Sequence, residues 1–229
     1  MDQLQSVVEA ICRELEAKNA ARDSVLRQSR ELIRCCANSV RATHRDEFEA
    51  AARLLADART TAAQMLADTA QYPDLYFAGY TQDALKELSE AHITYALVTD
   101  GAVPTPQGLH VESAAYLNGL AEAAGELRRY VLDRLRRGDV ATGEHLLAAM
   151  DDIYSLLVTV DFPDTITGGL RRNTDMVRGV LERTRGDLTT AVRQEELKQA
   201  LYAFSQRIGL PEGQPGSAYL PDAEDTGTP

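Results

Sequence analysis

Apolar residues recur at intervals of three or four along almost the whole chain, which is the period of an amphipathic helix. No segment alternates between apolar and polar residues with the period of two that a half-buried strand requires. The spacing predicts helices over residues 48–70, 81–97, 111–137 and 146–160, with Thr81 as the N-cap of the second. Residues near both ends of the chain show the same helical spacing. The pattern as a whole therefore predicts an all-α fold, a bundle of about seven long helices.

Two regions leave the number of helices open. Residues 2–42 carry two apolar stripes with no strong helix breaker between them, so they form either one long helix or two. Residues 170–208 allow the same two interpretations, with Gly186 as the candidate joint. Gly138 follows the predicted helix 111–137 and is expected to stop it, because glycine is the common residue after a helix C-terminus.

Proline and glycine mark the expected loops and one expected domain boundary. They cluster in residues 99–109 and 162–169, between long helical segments, and again after Leu210. We therefore expect one helical domain, residues 1–209. It is followed by an acidic tail rich in Pro and Gly, residues 210–229, which we expect to be disordered because it cannot bury enough apolar surface.

The composition indicates where the protein works. The 229-residue chain is 44% hydrophobic, enough for a core, yet it has no run of about 18 apolar residues and so no expected membrane span. Its first residues are acidic and amphipathic, unlike a signal peptide. Cys12, Cys35 and Cys36 show no CxxC spacing, so we expect reduced and mostly buried thiols. These features predict a cytoplasmic protein.

The average charge argues against nucleic-acid binding. The net charge is -11, whereas neutralising phosphates requires cations. Aromatic residues make up only 6% of the chain and tryptophan is absent, so few side chains are available to stack on bases. Both features favour a helical scaffold without nucleic-acid binding, unless the cations cluster on one surface.

The cations do cluster on one side of the N-terminal helical region. At about 100° per residue, five arginines fall within an arc of about 60°. We call them the arginine face: Arg27, Arg30, Arg34, Arg41 and Arg45, with His44 beside the end of the row. Guanidinium forks suit phosphate oxygens, so these six residues are candidates for contacting nucleic acid. The alternative is a solvated helix face whose arginines pair with Glu31 and Glu47.

Two predicted helices each carry a close pair of carboxylates. Glu87 and Glu90 are three residues apart, and Glu122 and Glu126 are four apart, so each pair shares one helix face. Two such helices can build an oxygen-lined site for Mg²⁺ or Mn²⁺, which metal-dependent nucleases use on phosphodiesters. The alternative is a set of ordinary exposed glutamates, because Glu122 and Glu126 point away from the apolar stripe of their helix.

Several segments resemble the translin family. RQSRELIRCCANSVRATHRDEFEAAARLL resembles its N-terminal helices, YLNGLAEAAGELRRYVLDRLRRGD its central helix, and DFPDTITGGLRRNTDMVRGVLERTRGDLT its C-terminal region. Together with KELSEA, these segments cover most of residues 22–200. The resemblance implies an all-helical fold and assembly into a hollow homo-octamer that binds single-stranded RNA or DNA.

The acidic motifs are closer to the translin-associated factor X branch of that family, which is a metal-dependent endoribonuclease. Glu87 and Glu90 match its Glu-x-x-Glu-Ala motif. In its Gly-x-Ala-Asp-x-x-Gly-Glu-Leu motif, Glu126 matches, whereas Glu122 stands where the branch has Asp. The resemblance implies that Glu87, Glu90 and Glu122 hold Mg²⁺ or Mn²⁺, with Glu126 as a fourth ligand or as the base that orients a water. It also implies that the arginine face contacts nucleic acid; a nucleic-acid-binding protein without catalysis is the alternative.

Overall fold

The computed structural model describes residues 1–208, which form helices and connecting turns without a strand. The helices are α1 (Asp2–His44), α2 (Phe48–Thr69), α3 (Pro73–Tyr76), α4 (Gly79–Val98), α5 (Pro106–Leu109), α6 (Ser113–Arg136), α7 (Val140–Val158), α8 (Asp164–Thr167) and α9 (Leu170–Arg207). Three of them, α3, α5 and α8, are single turns, of which α5 and α8 lie within the two predicted loops. The all-α prediction is confirmed.

The long helices of the described residues number six rather than about seven, because both regions that the sequence left open are continuous. α1 is one helix of 43 residues and α9 is one helix of 38 residues. Residues 18–22 contain neither proline nor glycine, so nothing there removes a backbone hydrogen bond from α1. Gly186 lies inside α9, where a glycine costs only about 1 kcal/mol relative to alanine and does not end the helix.

Residues Met1–Thr189 form one compact unit. A second unit begins at Thr190, and its described residues continue α9 to Arg207. The predicted end of the helical domain at residue 209 and the predicted tail 210–229 lie outside the described residues.

Two apolar clusters form the core of the first unit. The first joins α1, α2 and α4 around fully buried side chains such as Leu32 and Met65. The second joins α6, α7 and the beginning of α9 around Leu127 and Met150. α6 belongs to both clusters, because Ala115 on its other face packs into the first one. The packing of α4 against α6 therefore connects the two halves of the core.

The predicted stop after α6 is confirmed, and the predicted cap of α4 is wrong. Gly138 has a φ of 78°, the left-handed conformation that glycine adopts after a helix. Thr81, by contrast, lies inside α4, which begins two residues earlier at Gly79. Its buried hydroxyl donates a hydrogen bond to Leu75 O at 2.7 Å and so joins α4 to the preceding turn.

The thiols are partly as predicted. Cys35 and Cys36 are buried in α1, whereas Cys12 is exposed. Cys12 differs because residues 2–17 of α1 are all exposed, including an apolar stripe on this part of the helix. Within residues 1–208, no helix is both long enough and apolar enough to cross a membrane.

Candidate functional site

Three of the predicted metal ligands converge between α4 and α6. Glu87 and Glu90 of α4 and Glu122 of α6 each place one carboxylate oxygen within 4.8 Å of the other two. All three side chains are half-buried, and so is Glu126 one turn further along α6. The expectation of exposed glutamates on a single chain is therefore wrong, because α6 packs on two sides: its apolar stripe meets α7 and α9, and its acidic face meets α4.

A close helix crossing produces this convergence. A Cβ atom on Gly119 of α6 would lie 2.6 Å from Lys86 O and 3.0 Å from Glu90 N, both backbone atoms of α4. No side chain fits in that space without separating the two helices. Gly119 thus sets the distance between the carboxylates of α4 and Glu122, three residues further along α6.

A lysine ammonium also enters the acidic cluster. Lys86 Nζ lies 2.7 Å from Glu122 Oε1 and 3.7 Å from Glu87 Oε1. Only 23% of the Lys86 side chain is exposed, so water screens this ion pair less than it would at the surface. Lys86 was not predicted as a site residue from the sequence, although it directly precedes Glu87.

The carboxylates repel one another in this half-buried position. Burial, together with the negative charges of Glu87, Glu122 and Glu126, raises the pKa of Glu90 from 4.5 to about 8. Burial also raises the pKa of Glu87. Carboxylate oxygens gathered in this way gain from a shared divalent cation, and hard cations such as Mg²⁺ and Mn²⁺ prefer oxygen ligands. The residues present therefore fit such an ion.

His44 does not lie on the exposed arginine face. It is buried, and its Nε2 lies 2.5 Å from Glu126 Oε2. At about 100° per residue, His44 is turned from the arc of arginines, and the packing of the end of α1 near α6 gives it Glu126 as a partner. The hydrogen bond with His44 lowers the pKa of Glu126, so that Glu126 stays a carboxylate near neutral pH.

A cleft of about 160 Å³, here called the acid cleft, opens between α1, α4 and α6. It is lined by Cys36, Ala37, Val40, Arg41, Glu87, Glu90, Glu126 and Arg129. Arg41 is the member of the arginine face that reaches this acidic site. Arg129 was not predicted as a site residue from the sequence, although it lies three residues after Glu126 and so on the same face of α6.

A second cleft, here called the amide cleft, lies on the Glu122 side of the cluster and has a volume of about 220 Å³. Its lining includes Gln82, Asp83, Lys86, Asn118, Glu122 and Asn173. Asn173 Nδ2 of α9 donates a hydrogen bond to Asn118 Oδ1 of α6 at 2.9 Å, which fixes one wall. The sequence contains no local signal for this cleft, because its residues come from three separate helices.

The five members of the arginine face are all exposed, four of them on α1 and Arg45 directly after its last residue. Arg34 pairs with Glu31 at 2.6 Å and Arg45 with Glu47 at 2.7 Å, the two acids named in the alternative interpretation. Exposed ion pairs of this kind contribute only about 0–1 kcal/mol, so phosphates can replace the carboxylates at little cost. The role of the arginine face in binding stays a prediction.

Comparison with known proteins gives both a sequence relative and structural neighbours. No protein-family model matches the chain. An uncharacterized protein of Methanocaldococcus jannaschii is 30% identical over 215 residues, which are 92% of this chain and 91% of that protein. The crystal structure of AfC3PO is 34% identical with a TM-score of 0.76, and the alignment covers 82% of this chain and 97% of that one.

Two further solved structures are similar. The complex of AfC3PO with duplex RNA has a TM-score of 0.75 and 33% identity, and it covers 82% of this chain and 97% of that chain. Apo-NeC3PO has a TM-score of 0.74 at 17% identity, covering 80% and 96% of the two chains, and therefore supports the fold alone.

Proposed function

The chain belongs to the translin family, as the AfC3PO proteins do, and from this premise we propose that it binds single-stranded RNA or DNA and cleaves RNA with a divalent metal ion. The proposed activity is that of the translin-associated factor X branch, a Mg²⁺- or Mn²⁺-dependent endoribonuclease. The proposed location is the cytoplasm, where the buried thiols of Cys35 and Cys36 would stay reduced.

The convergence of three carboxylates carries the catalytic part of the proposal. Glu87, Glu90 and Glu122 would hold the ion, since one carboxylate oxygen of each lies within 4.8 Å of the other two. When bound, the ion supplies positive charge to the phosphate oxygens and lowers the pKa of a bound water. No other group of three or more His, Cys, Asp or Glu side chains within residues 1–208 has this arrangement.

Glu126 and His44 have a separate role in this proposal. The hydrogen bond with His44 keeps the pKa of Glu126 low, so Glu126 is ionised and able to accept a proton from the attacking water. His44 is buried and holds one oxygen of Glu126 in place, which makes it a positioning residue. In this proposal His44 positions Glu126, whereas the sequence had suggested that His44 contacts a phosphate.

The arginine face supplies the proposed binding surface. Arg41 and Arg129 line the acid cleft beside Glu90 and Glu126, so a phosphate held by them would lie next to the carboxylates. The other four members of the face are exposed along α1 and at its C-terminal end, where they could contact further phosphates of the strand. The AfC3PO complex contains duplex RNA, so both single-stranded and duplex RNA belong in the binding test.

We also propose that the chain assembles into a hollow homo-octamer. The supporting observation is an exposed apolar stripe on the first turns of α1: Leu4, Val7, Val8, Ile11 and Leu15, each about half exposed or more. A stripe of this size on one helix is typical of a protein–protein interface. An Ile11→Asp variant should form smaller species than the unaltered chain in light scattering, and an unchanged mass would exclude this stripe as the interface.

The test of the nuclease proposal is a cleavage assay on a labelled single-stranded RNA in Mg²⁺ or in EDTA. Cleavage should require Mg²⁺ and should be lost in Glu122→Ala, while RNA binding is retained. Glu49→Ala is the matched control, because the Glu49 side chain is 95% exposed on α2 and should leave cleavage unchanged. Equal cleavage by Glu122→Ala would remove Glu122 from the site.

One observation favours a second candidate, a nucleic-acid-binding protein without catalysis. Glu122 stands where the nuclease branch has Asp, and the extra methylene displaces a ligand oxygen by about one bond length. Such a protein would bind RNA equally in Mg²⁺ and EDTA and leave it intact. A helical scaffold, which the net charge of -11 favours, would instead show no salt-sensitive binding of RNA at all.

A further inference from the structure

The acidic cluster already contains a cation from its own chain. Lys86 Nζ donates to Glu122 Oε1 at 2.7 Å and lies 3.7 Å from Glu87 Oε1. Glu87 and Glu122 are two of the three carboxylates that converge within 4.8 Å. A half-buried group of like charges is destabilised without a counter-charge, and the Lys86 ammonium is in direct contact with two of these carboxylates.

A divalent ion and the Lys86 ammonium compete for the negative charge of Glu122. Ammonium and metal ion both carry positive charge, and at a few ångströms within a half-buried site they repel each other strongly. Binding of an ion by Glu87, Glu90 and Glu122 therefore weakens the ion pair between Lys86 and Glu122 and favours a move of the ammonium away from it. The ammonium has a place to go, because Lys86 also lines the amide cleft.

Asp83 provides the second partner for the displaced ammonium. It lies three residues before Lys86 on α4, hence on the same face of the helix, and it also lines the amide cleft. The four-carbon stem of lysine turns freely, so the ammonium can move between the two carboxylates while α4 stays in place.

We propose that Lys86 is a built-in counter-cation of the acidic cluster, which holds the site together without metal and exchanges with the divalent ion when the ion binds. The inference rests on the proposed metal site and adds the residue that controls its affinity. Its consequence is that the unaltered chain binds the ion more weakly than its three carboxylates would alone.

The test is calorimetric titration of the full chain with Mn²⁺. Lys86→Gln, which removes the competing charge and keeps much of the side-chain volume, should bind Mn²⁺ about tenfold more tightly than the unaltered chain. Lys86→Arg keeps the charge and should bind as weakly as the unaltered chain. Arg129→Gln is the control, because it removes a nearby positive charge that lines the acid cleft. This variant should tighten Mn²⁺ binding less than about threefold.

A second readout follows Lys86 itself. Amine labelling with acetic anhydride, read by mass spectrometry, should increase at Lys86 when Mn²⁺ is added, because the ammonium leaves its ion pair with Glu122. Lys198, whose side chain is 79% exposed, is the internal control and should label equally in both conditions.

The outcomes separate this inference from the proposed function. If Mn²⁺ binding requires Glu122 but Lys86→Gln binds no more tightly than Arg129→Gln, the exchange is overturned and the metal site stands. If neither the unaltered chain nor Lys86→Gln binds Mn²⁺, both the exchange and the metal-dependent activity are overturned. Tighter binding by Lys86→Gln together with Mn²⁺-dependent labelling supports the exchange.

Discussion

Gly119 of α6 lies directly against the backbone of Glu90 on α4, so that a Cβ atom on Gly119 would come 3.0 Å from Glu90 N. Six residues further along the same helix, Gly125 has no neighbouring atom within 4 Å of such a Cβ. The two glycines thus differ in one respect that matters for the site: only Gly119 allows α4 and α6 to approach.

The first prediction is that Gly119→Ala separates the two helices. It should lower stability by about 1–3 kcal/mol, the usual cost of adding a methylene or methyl group to close-packed atoms, and it should strongly reduce Mg²⁺-dependent RNA cleavage. Gly125→Ala is the control and should be stabilising by up to about 1 kcal/mol, because alanine favours the helix. Thermal unfolding and cleavage rates of the two variants check this, and equal behaviour would show that the crossing has room for a methyl group.

The second prediction concerns pH and Glu90. Its pKa is about 8 in the folded protein and near 4.5 when solvated, so between these values the folded chain holds a proton that the unfolded chain has lost. Stability in EDTA should therefore fall as pH rises through this window. The glutamine of Glu90→Gln cannot ionise. Between about pH 5 and pH 8, the melting temperature of this variant should therefore fall less than that of the unaltered chain, and the difference should be on the order of 5 °C. Parallel melting curves for the two proteins would contradict the raised pKa.

The third prediction concerns the positioning of Glu126. Without the hydrogen bond from His44 the pKa of Glu126 should rise, since that bond is the main cause of its lowering. In His44→Asn, cleavage should therefore begin at higher pH than in the unaltered chain, because Glu126 must be ionised to accept a proton. The full pH–rate profile measures this shift.

The matched control for that experiment is His92→Asn. His92 is also buried, but its Nδ1 lies 2.9 Å from Leu88 O rather than from a carboxylate of the site. This variant should lose stability without moving the acid limb of the profile. A shift of the same size in both variants would mean that the loss of a buried histidine, and not of the contact with Glu126, changes the profile.

The fourth prediction concerns Arg41, the member of the arginine face that lines the acid cleft. Arg41→Gln should weaken RNA binding and reduce the slope of log Kd against log salt by about 0.7–1, the effect of losing one phosphate contact. Arg178→Gln is the control, since Arg178 is an exposed arginine of α9 that pairs with Glu182 at 3.2 Å. Binding titrations at several salt concentrations would exclude Arg41 from the interface if both slopes stayed unchanged.

The helices and their faces were predictable because helix formation depends on residues three and four apart. The apolar spacing gave three helices within two residues of their observed ends, whereas it started the fourth at residue 146, six residues after α7 begins at Val140. It also separated the exposed arginines of the N-terminal region from the buried side of α1. The carboxylate pairs Glu87–Glu90 and Glu122–Glu126 were also visible, because each pair lies within one turn of a helix. All of these relationships are local.

The contacts between helices were decided by the tertiary structure alone. His44 meets Glu126 across 82 positions of the sequence, and Lys86 meets Glu122 across 36. Periodicity shows which residues share a face but not which other face it meets, so it gave no partner for His44 and left Glu122 in solvent. The sequence by itself determined the helices of this protein and the faces on which its acidic residues lie. The tertiary structure decided that those residues form one half-buried site, through the packing of α4 on α6 at Gly119 and of α1 beside them. The physical reason is that burial and charge repulsion between these residues exist only once the helices are packed.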